Sequence, residues 1–162
     1  MNKLAVILFA AVAIFGMVKG RNGVSSVALP QLVVTQPSAD VRVIDGDTLE
    51  VNGVHYRVFG IAAPDKPADA KEHATRYAEQ LVAEGVECRS TGSKSYDRIV
   101  AKCATPDGDF ARFMVAAGYA FDWPRYSRGL YRDSQHEAQQ AHAGLWALGY
   151  HPSQKNPNNL VK

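Results

Sequence analysis

Sulfur is scarce in this 162-residue chain: Cys88 and Cys103 are its only cysteines, and no Cys-x-x-Cys occurs. The five histidines are scattered, and His136 and His142 do not share a helix face at i, i+4 spacing, which argues against a zinc site. Long apolar runs are few as well: Leu4 to Val18, without a charge, suits a signal-peptide hydrophobic region better than a full membrane span, which needs about 20 apolar residues. A surplus of positive charge is missing where it would matter. The formal net charge is +2, yet residues 40–150 hold thirteen basic against sixteen acidic side chains. Bulk attraction to polyanions is therefore excluded for the folded part, and any phosphate recognition has to be local. With 46% hydrophobic and 21% charged residues, disordered and fibrous classes are excluded as well, and the length allows one ordinary domain.

What is present begins with a targeting segment. Lys3 followed by the apolar run reads as a signal peptide or an uncleaved N-terminal anchor over residues 1–22. Lys19 and Arg21 follow the run directly, and the nearest small-x-small site is Ser26-Val27-Ala28, so cleavage stays open. Export to the periplasm or the medium is the expectation, with a membrane touched only through this segment. Residues 23–39, with Gly, Ser and Pro and no periodicity, read as a linker. Cys88 and Cys103 fall on two expected strands. A bridge between them would suit an exported protein and contribute about 3 kcal/mol, the alternative being two small core thiols.

From residue 40 the pattern turns to short β runs: Val41, Val43 and Ile44; Leu49 and Val51; Tyr56, Val58 and Ile61. Asn52-Gly53 between two of them is a strong hairpin signal. Ala70 to Ala83 reads as a helix, Val86–Arg89 and Ile99–Ala104 as strands around a polar loop at 90–97. Asp109 is the expected N-cap of a helix over 110–117, and a last helix runs from about Leu130 to Ala143. Residues 151–162, with two prolines and three asparagines, read as a disordered tail. Five strands with a helix between the third and fourth predict an α+β, mainly β protein: a five-stranded OB-fold barrel with three helices over residues 40–150.

Two clusters carry chemistry. In Asp45-Gly46-Asp47-Thr48, two carboxylates bracket a glycine at a strand-to-strand turn. They either converge on a hard cation or form a plain turn. Arg57 stands mid-strand among apolar residues, and Arg98 precedes another strand after Lys94, Tyr96 and Asp97. Two guanidinium forks suit a phosphodiester and its transition state.

Taken in order, Val43-Ile44-Asp45-Gly46-Asp47-Thr48-Leu49, Tyr56-Arg57-Val58-Phe59-Gly60-Ile61-Ala62-Ala63-Pro64, Arg98-Ile99-Val100-Ala101-Lys102-Cys103 and Gly144-Leu145-Trp146 resemble the staphylococcal nuclease (thermonuclease) family over residues 40–148. The resemblance implies an OB-fold phosphodiesterase dependent on calcium (Ca²⁺) that cuts DNA or RNA. On the matching positions, Asp47 with Asp45 would bind the metal. Arg57 and Arg98 would hold the phosphate, Asp65 would orient the attacking water, and Tyr96 and Tyr126 would contact the nucleotide. A monomer acting on single strands is the expected form.

The match departs at the metal. The family's usual Gly-Ile-Asp-Ala-Pro-Glu reads here Gly60-Ile61-Ala62-Ala63-Pro64-Asp65, so a calcium carboxylate is lost and the glutamate is shortened. Asp45, Asp65 or Asp69 are candidates to replace the missing oxygen. The usual Asp-Arg-Tyr-Gly-Arg loop has become Lys94-Ser95-Tyr96-Asp97-Arg98. The expectation is a nuclease with a weakened metal site, the alternative a catalytically impaired homologue that binds nucleic acid or nucleotides.

Overall fold

The computed structural model describes residues 40–153 and 157–161. The expected targeting segment and linker lie outside the described residues. No helix among the described residues is long and apolar enough to cross a membrane.

Three antiparallel strands open the domain: β1 (Val41–Asp45), β2 (Thr48–Val51) and β3 (Val54–Val58). The turn between β2 and β3 is Asn52-Gly53, with φ 51° and 77°. A two-residue hairpin loop needs both central residues there, and this pair of residue types tolerates it. The register sets Thr48 opposite Arg57 and Val51 opposite Val54. Between β1 and β2 the pairing shifts after Val43, which leaves Asp45 opposite Thr48. Gly46 sits in that turn, where a Cβ would come within 2.7 Å of the Ala63 Cβ and 3.0 Å of the Ala74 Cβ. The Asp-Gly-Asp turn is thus tucked against the core, and only glycine fits its middle.

A short β4 (Ile61–Ala62) leads to helix α1 (Ala68–Leu81). Ala70, Ala74 and Ala78 recur at four-residue spacing and are fully buried, Ala74 and Ala78 in the main core and Ala70 in a second cluster with Phe121 and Trp146. Strands β5 (Glu87–Ser95) and β6 (Arg98–Thr105) form the next hairpin. The stretch expected as a polar loop at 90–97 is mostly strand: an edge strand exposed to water along its length carries no apolar alternation to announce it. Cys88 stands opposite Cys103 in this hairpin, and the two form a disulfide. Strand β6 pairs parallel with β3, Arg57 lying opposite Val100. The strand order of the main sheet is β1-β2-β3-β6-β5, with β7 (Gly108–Asp109) paired to β6.

Asp109 caps helix α2 (Phe110–Ala116), its carboxylate accepting the backbone N–H groups of Ala111 and Arg112. Its second oxygen accepts the Tyr131 hydroxyl at 3.2 Å. Strand β8 (Phe121–Asp122) pairs with β4, setting Phe121 opposite Ala62. The expected helix from Leu130 is shorter and preceded by another: α3 (Pro124–Ser127) starts on a proline, and α4 is Arg132–Gln140. Pro124 favours a helix start because its missing N–H needs no partner there. Arg128, with φ 57°, and Gly129, with φ 79°, separate the two. A 3-10 turn, Gly144–Trp146, then brings Trp146 edge-on to Phe121.

The fold is mixed α+β and mostly strand, as the sequence predicts, with four α-helices among the described residues where three are expected. The main sheet does not close, since its outer strands β1 and β5 do not pair with each other. A correction is needed at the C-terminus. The expected disordered tail contains an antiparallel pair, β9 (His151–Pro152) with β10 (Leu160–Val161), and Asn158 is buried.

Candidate functional site

The site is built where β2, β3 and β6 lie side by side. Thr48 on β2 faces Arg57 on β3, and Arg98 opens β6. Asp47, at the end of the buried turn, is 4% exposed and Arg57 is 8% exposed. Their side chains form an ion pair, Nη2 to Oδ2, at 2.9 Å. Arg57 also donates to the carbonyls of Val58 at 2.6 Å and Ile61 at 2.8 Å. Its guanidinium is held on three sides, and the ring of Trp123 lies 5.8 Å from its Cζ. Arg57, mid-strand among apolar residues, therefore points into the site and not to solvent.

Asp47 is the hub. Its Oδ2 accepts the backbone N–H of Ala63 at 2.7 Å and the Asn158 amide at 3.1 Å, besides Arg57. Its Oδ1 accepts the Thr48 hydroxyl at 3.3 Å. Thr48 Oγ1 in turn accepts Arg98 Nη1 at 2.9 Å, so both arginines connect to one carboxylate, one directly and one through a hydroxyl. Asp45 accepts the Asp47 N–H at 3.1 Å, bracing the turn. Burial pushes the Asp47 carboxyl up to about 6, against the pull of Arg57 and with a push from Asp45.

The remaining expected residues spread outward. Asp65 is exposed just after β4. Tyr126 is half exposed and lines a cleft of about 430 Å³ together with Arg57, Lys94, Ser95 and Trp123. Trp123 and Tyr126 meet edge-to-face with centroids 4.8 Å apart, two aromatic faces beside a guanidinium. Tyr96 stands apart: it occupies the β5–β6 turn with φ 58° and is 92% exposed. Asp69 accepts the Tyr150 hydroxyl at 2.7 Å, holding α1 to the chain that follows the 3-10 turn.

The donor set does not fit the calcium that the resemblance implies. Calcium takes six to eight oxygen ligands and gains affinity with their charge. Ala62 contributes no side-chain oxygen, and among the described residues no three His, Cys, Asp or Glu gather in one place. Asp47 Oδ2 already accepts three N–H donors. Sequence reasoning missed two members of this network. Thr48 falls inside the Asp45-Gly46-Asp47-Thr48 turn with no chemistry that the pattern announces, and Asn158 falls in the expected disordered tail. A lone asparagine among prolines and polar residues carries no local signal of burial.

Comparison with known proteins agrees with this geometry. An uncharacterized endonuclease of Escherichia coli is 36% identical over 114 residues, covering 66% of this chain and 74% of its own length. The corresponding protein of Escherichia coli O157:H7 is 35% identical over the same length. A succinoglycan biosynthesis protein, ExoI, of Rhizobium meliloti (strain 1021) is 32% identical over 117 residues, covering 64% of this chain and 61% of that protein. Residues 55–148, which run from β3 past the 3-10 turn and so include Arg57, Arg98 and the aromatic cleft, match the family described as staphylococcal nuclease homologue, and the chain belongs to that family.

Proposed function

We propose that this protein is an exported nuclease that hydrolyses phosphodiester bonds in single-stranded DNA or RNA, acting as a monomer. One observation carries the reading: Arg57 and Arg98 are fixed to a single carboxylate hub, and Arg57 borders a cleft walled by Trp123 and Tyr126. Export rests on the apolar run near the N-terminus and on the Cys88–Cys103 disulfide. Aromatic faces accept unstacked bases whatever their sequence, while local cations hold the backbone. This suits a domain whose overall charge does not attract nucleic acid.

In the chemistry we propose, Arg98 holds a non-bridging phosphate oxygen with its fork. Thr48 keeps that fork from swinging away. Arg57, already anchored by two carbonyls, adds a preformed positive charge that costs no reorganisation as the pentacovalent state develops. Asp65 takes the proton of the attacking water as a new P–O bond forms. The opposite P–O bond breaks, and its oxygen leaves with a proton from solvent. The aspartate reaches less far than a glutamate, and a misplacement of about an ångström can cost on the order of 100-fold in rate.

A second reading is favoured by the full engagement of Asp47 and by Ala62. On it, the same cleft binds nucleic acid without cutting. Incubation of the full-length protein with heat-denatured DNA separates the two. Cleavage that Arg98→Ala abolishes supports the nuclease. Salt-sensitive binding with no cleavage, from protein shown to be folded, supports the binding module and ends the first proposal.

A further inference from the structure

The Asn158 amide nitrogen has a position that its chemistry does not need for itself. It lies 3.1 Å from Asp47 Oδ2 and 2.5 Å from the Ala63 carbonyl oxygen. Both partners are acceptors, so the nitrogen rather than the oxygen of the carboxamide must face them. A carboxylate and a carbonyl oxygen converging on one point make the environment of a small hard cation. Here a pair of N–H dipoles stands at that point.

Asn158 is delivered there by a built element. The segment 157–161 lies against the chain after β4: Asp65 N–H donates to the Asn158 carbonyl at 2.8 Å, and Lys66 forms a parallel bridge with Asn159. Strand β10 then pairs back to β9. Asn158 itself is 9% exposed. Charge completes the argument. The buried cluster contains one carboxylate, Asp47, and one guanidinium, Arg57, already paired, while position 62 is an alanine with no exposure. The half-buried Asp45 adds one further negative charge nearby, but it already accepts the Asp47 N–H, so a dication would meet little free negative charge at this place, whereas a neutral donor fits it.

We propose that the Asn158 carboxamide serves as a built-in substitute for a cation, tying Asp47 to Ala63, so that the site is assembled without a divalent metal. Metal and carboxamide compete for one place, and the carboxamide holds it. Asn158 is therefore a positioning residue. It acts on the arginines through Asp47 and touches no substrate. The inference rests on the nuclease reading only for the meaning of the site. Its test reads stability and metal binding, so either proposal can fail without the other.

The test compares the full-length protein with Asn158→Ala and Asn158→Asp, using thermal unfolding in chelator and in millimolar CaCl₂, and calorimetric titration with CaCl₂. The wild type should unfold at the same temperature in both buffers and show no heat of calcium binding. Asn158→Ala should lose several degrees in chelator. Asn158→Asp sets a second carboxylate against Asp47, so it should lose more in chelator and regain it in calcium, with a measurable heat of binding. Wild-type protein that binds calcium and is stabilised by it overturns the proposal, as does an Asn158→Ala variant as stable as wild type. Should Asn158→Ala fail to fold, Asn158→Asp in calcium still decides: no recovery there refutes the shared place.

Discussion

Replacing Arg57 by alanine tests whether the Asp47 ion pair organises the site. The substitution has two separable costs. It strips the Val58 and Ile61 carbonyls of a donor, and it leaves the Asp47 carboxylate, 4% exposed, without its cation. Each lost hydrogen bond is worth about 1 kcal/mol, and stranding a buried charge by removing its partner costs about 3–5 kcal/mol. Only the second cost depends on pH. In the wild type the Asp47 carboxyl is raised from 3.8 to about 6, so the stability it confers is complete below the lower value and is lost as pH rises through the upper one. Without Arg57 its pKa climbs further. At pH near 5 the carboxyl is then largely protonated in both proteins, and the variant should lack only about 2 kcal/mol from the two carbonyl bonds. At pH near 8 the variant must bury a bare carboxylate or take up a proton, and each unit of further rise costs about 1.4 kcal/mol. Urea unfolding of both proteins at the two pH values measures the difference by linear extrapolation. The loss should be larger at the alkaline value, and Asp47→Asn in the Arg57→Ala background should erase that dependence. An equal loss at both values, or a larger one in acid, would refute the reasoning.

Tyr126 and Tyr96 should separate cleanly. Tyr126→Ala removes a face of the aromatic cleft and should weaken binding of a single-stranded oligonucleotide by about 1–3 kcal/mol, while Tyr96→Ala, on the exposed turn, leaves affinity unchanged in a fluorescence-anisotropy titration. Gly46→Ala drives a methyl to within 2.7 Å of the Ala63 Cβ, an overpacking that should cost about 1–3 kcal/mol by urea unfolding and lower the unfolding temperature. Cys88→Ser with Cys103→Ser opens a bridge of sequence separation 15, and the same measurement should show a loss of about 3 kcal/mol.

The features legible in the sequence are those fixed by local chemistry. Asn52-Gly53 announces its hairpin because few residue pairs accept two positive φ angles in succession. Asp109 announces α2 because a carboxylate before an apolar run satisfies the free N–H groups of the first turn. Helix α1 is legible because its apolar residues recur at helical spacing, and Ala70, Ala74 and Ala78 on that pattern are fully buried. What escaped depends on distant partners. Strand β5 exists because β6 pairs with it, and its own residues 90–95 mix serine, threonine, glycine and lysine with no buried face. Asn158 is buried because Asp47, 111 positions earlier, has an acceptor to fill, and nothing beside Asn158 records that.

Ala62 and Asn158 explain each other through charge. A site with carboxylates at positions 47 and 62 would hold two like charges in the interior, and without a cation one of them would have to take up a proton. Alanine at 62 removes that demand, since the charge left on Asp47 is already paired with Arg57. What then remains is a geometric need: the Ala63 carbonyl, beside an Asp47 oxygen already bonded to Arg57 and to the Ala63 N–H, faces a space that water or a donor must satisfy. A carboxamide does so with no charge of its own. The backbone bonds of Asp65 and Asn159 then hold the donor in place. Losing a carboxylate at 62 while keeping an open cavity beside Asp47 would leave a buried acceptor unsatisfied, at about 1–3 kcal/mol. The departure at position 62, which by itself reads as damage to a metal site, therefore becomes one half of a different and internally satisfied arrangement, whose other half lies in the last residues of the chain.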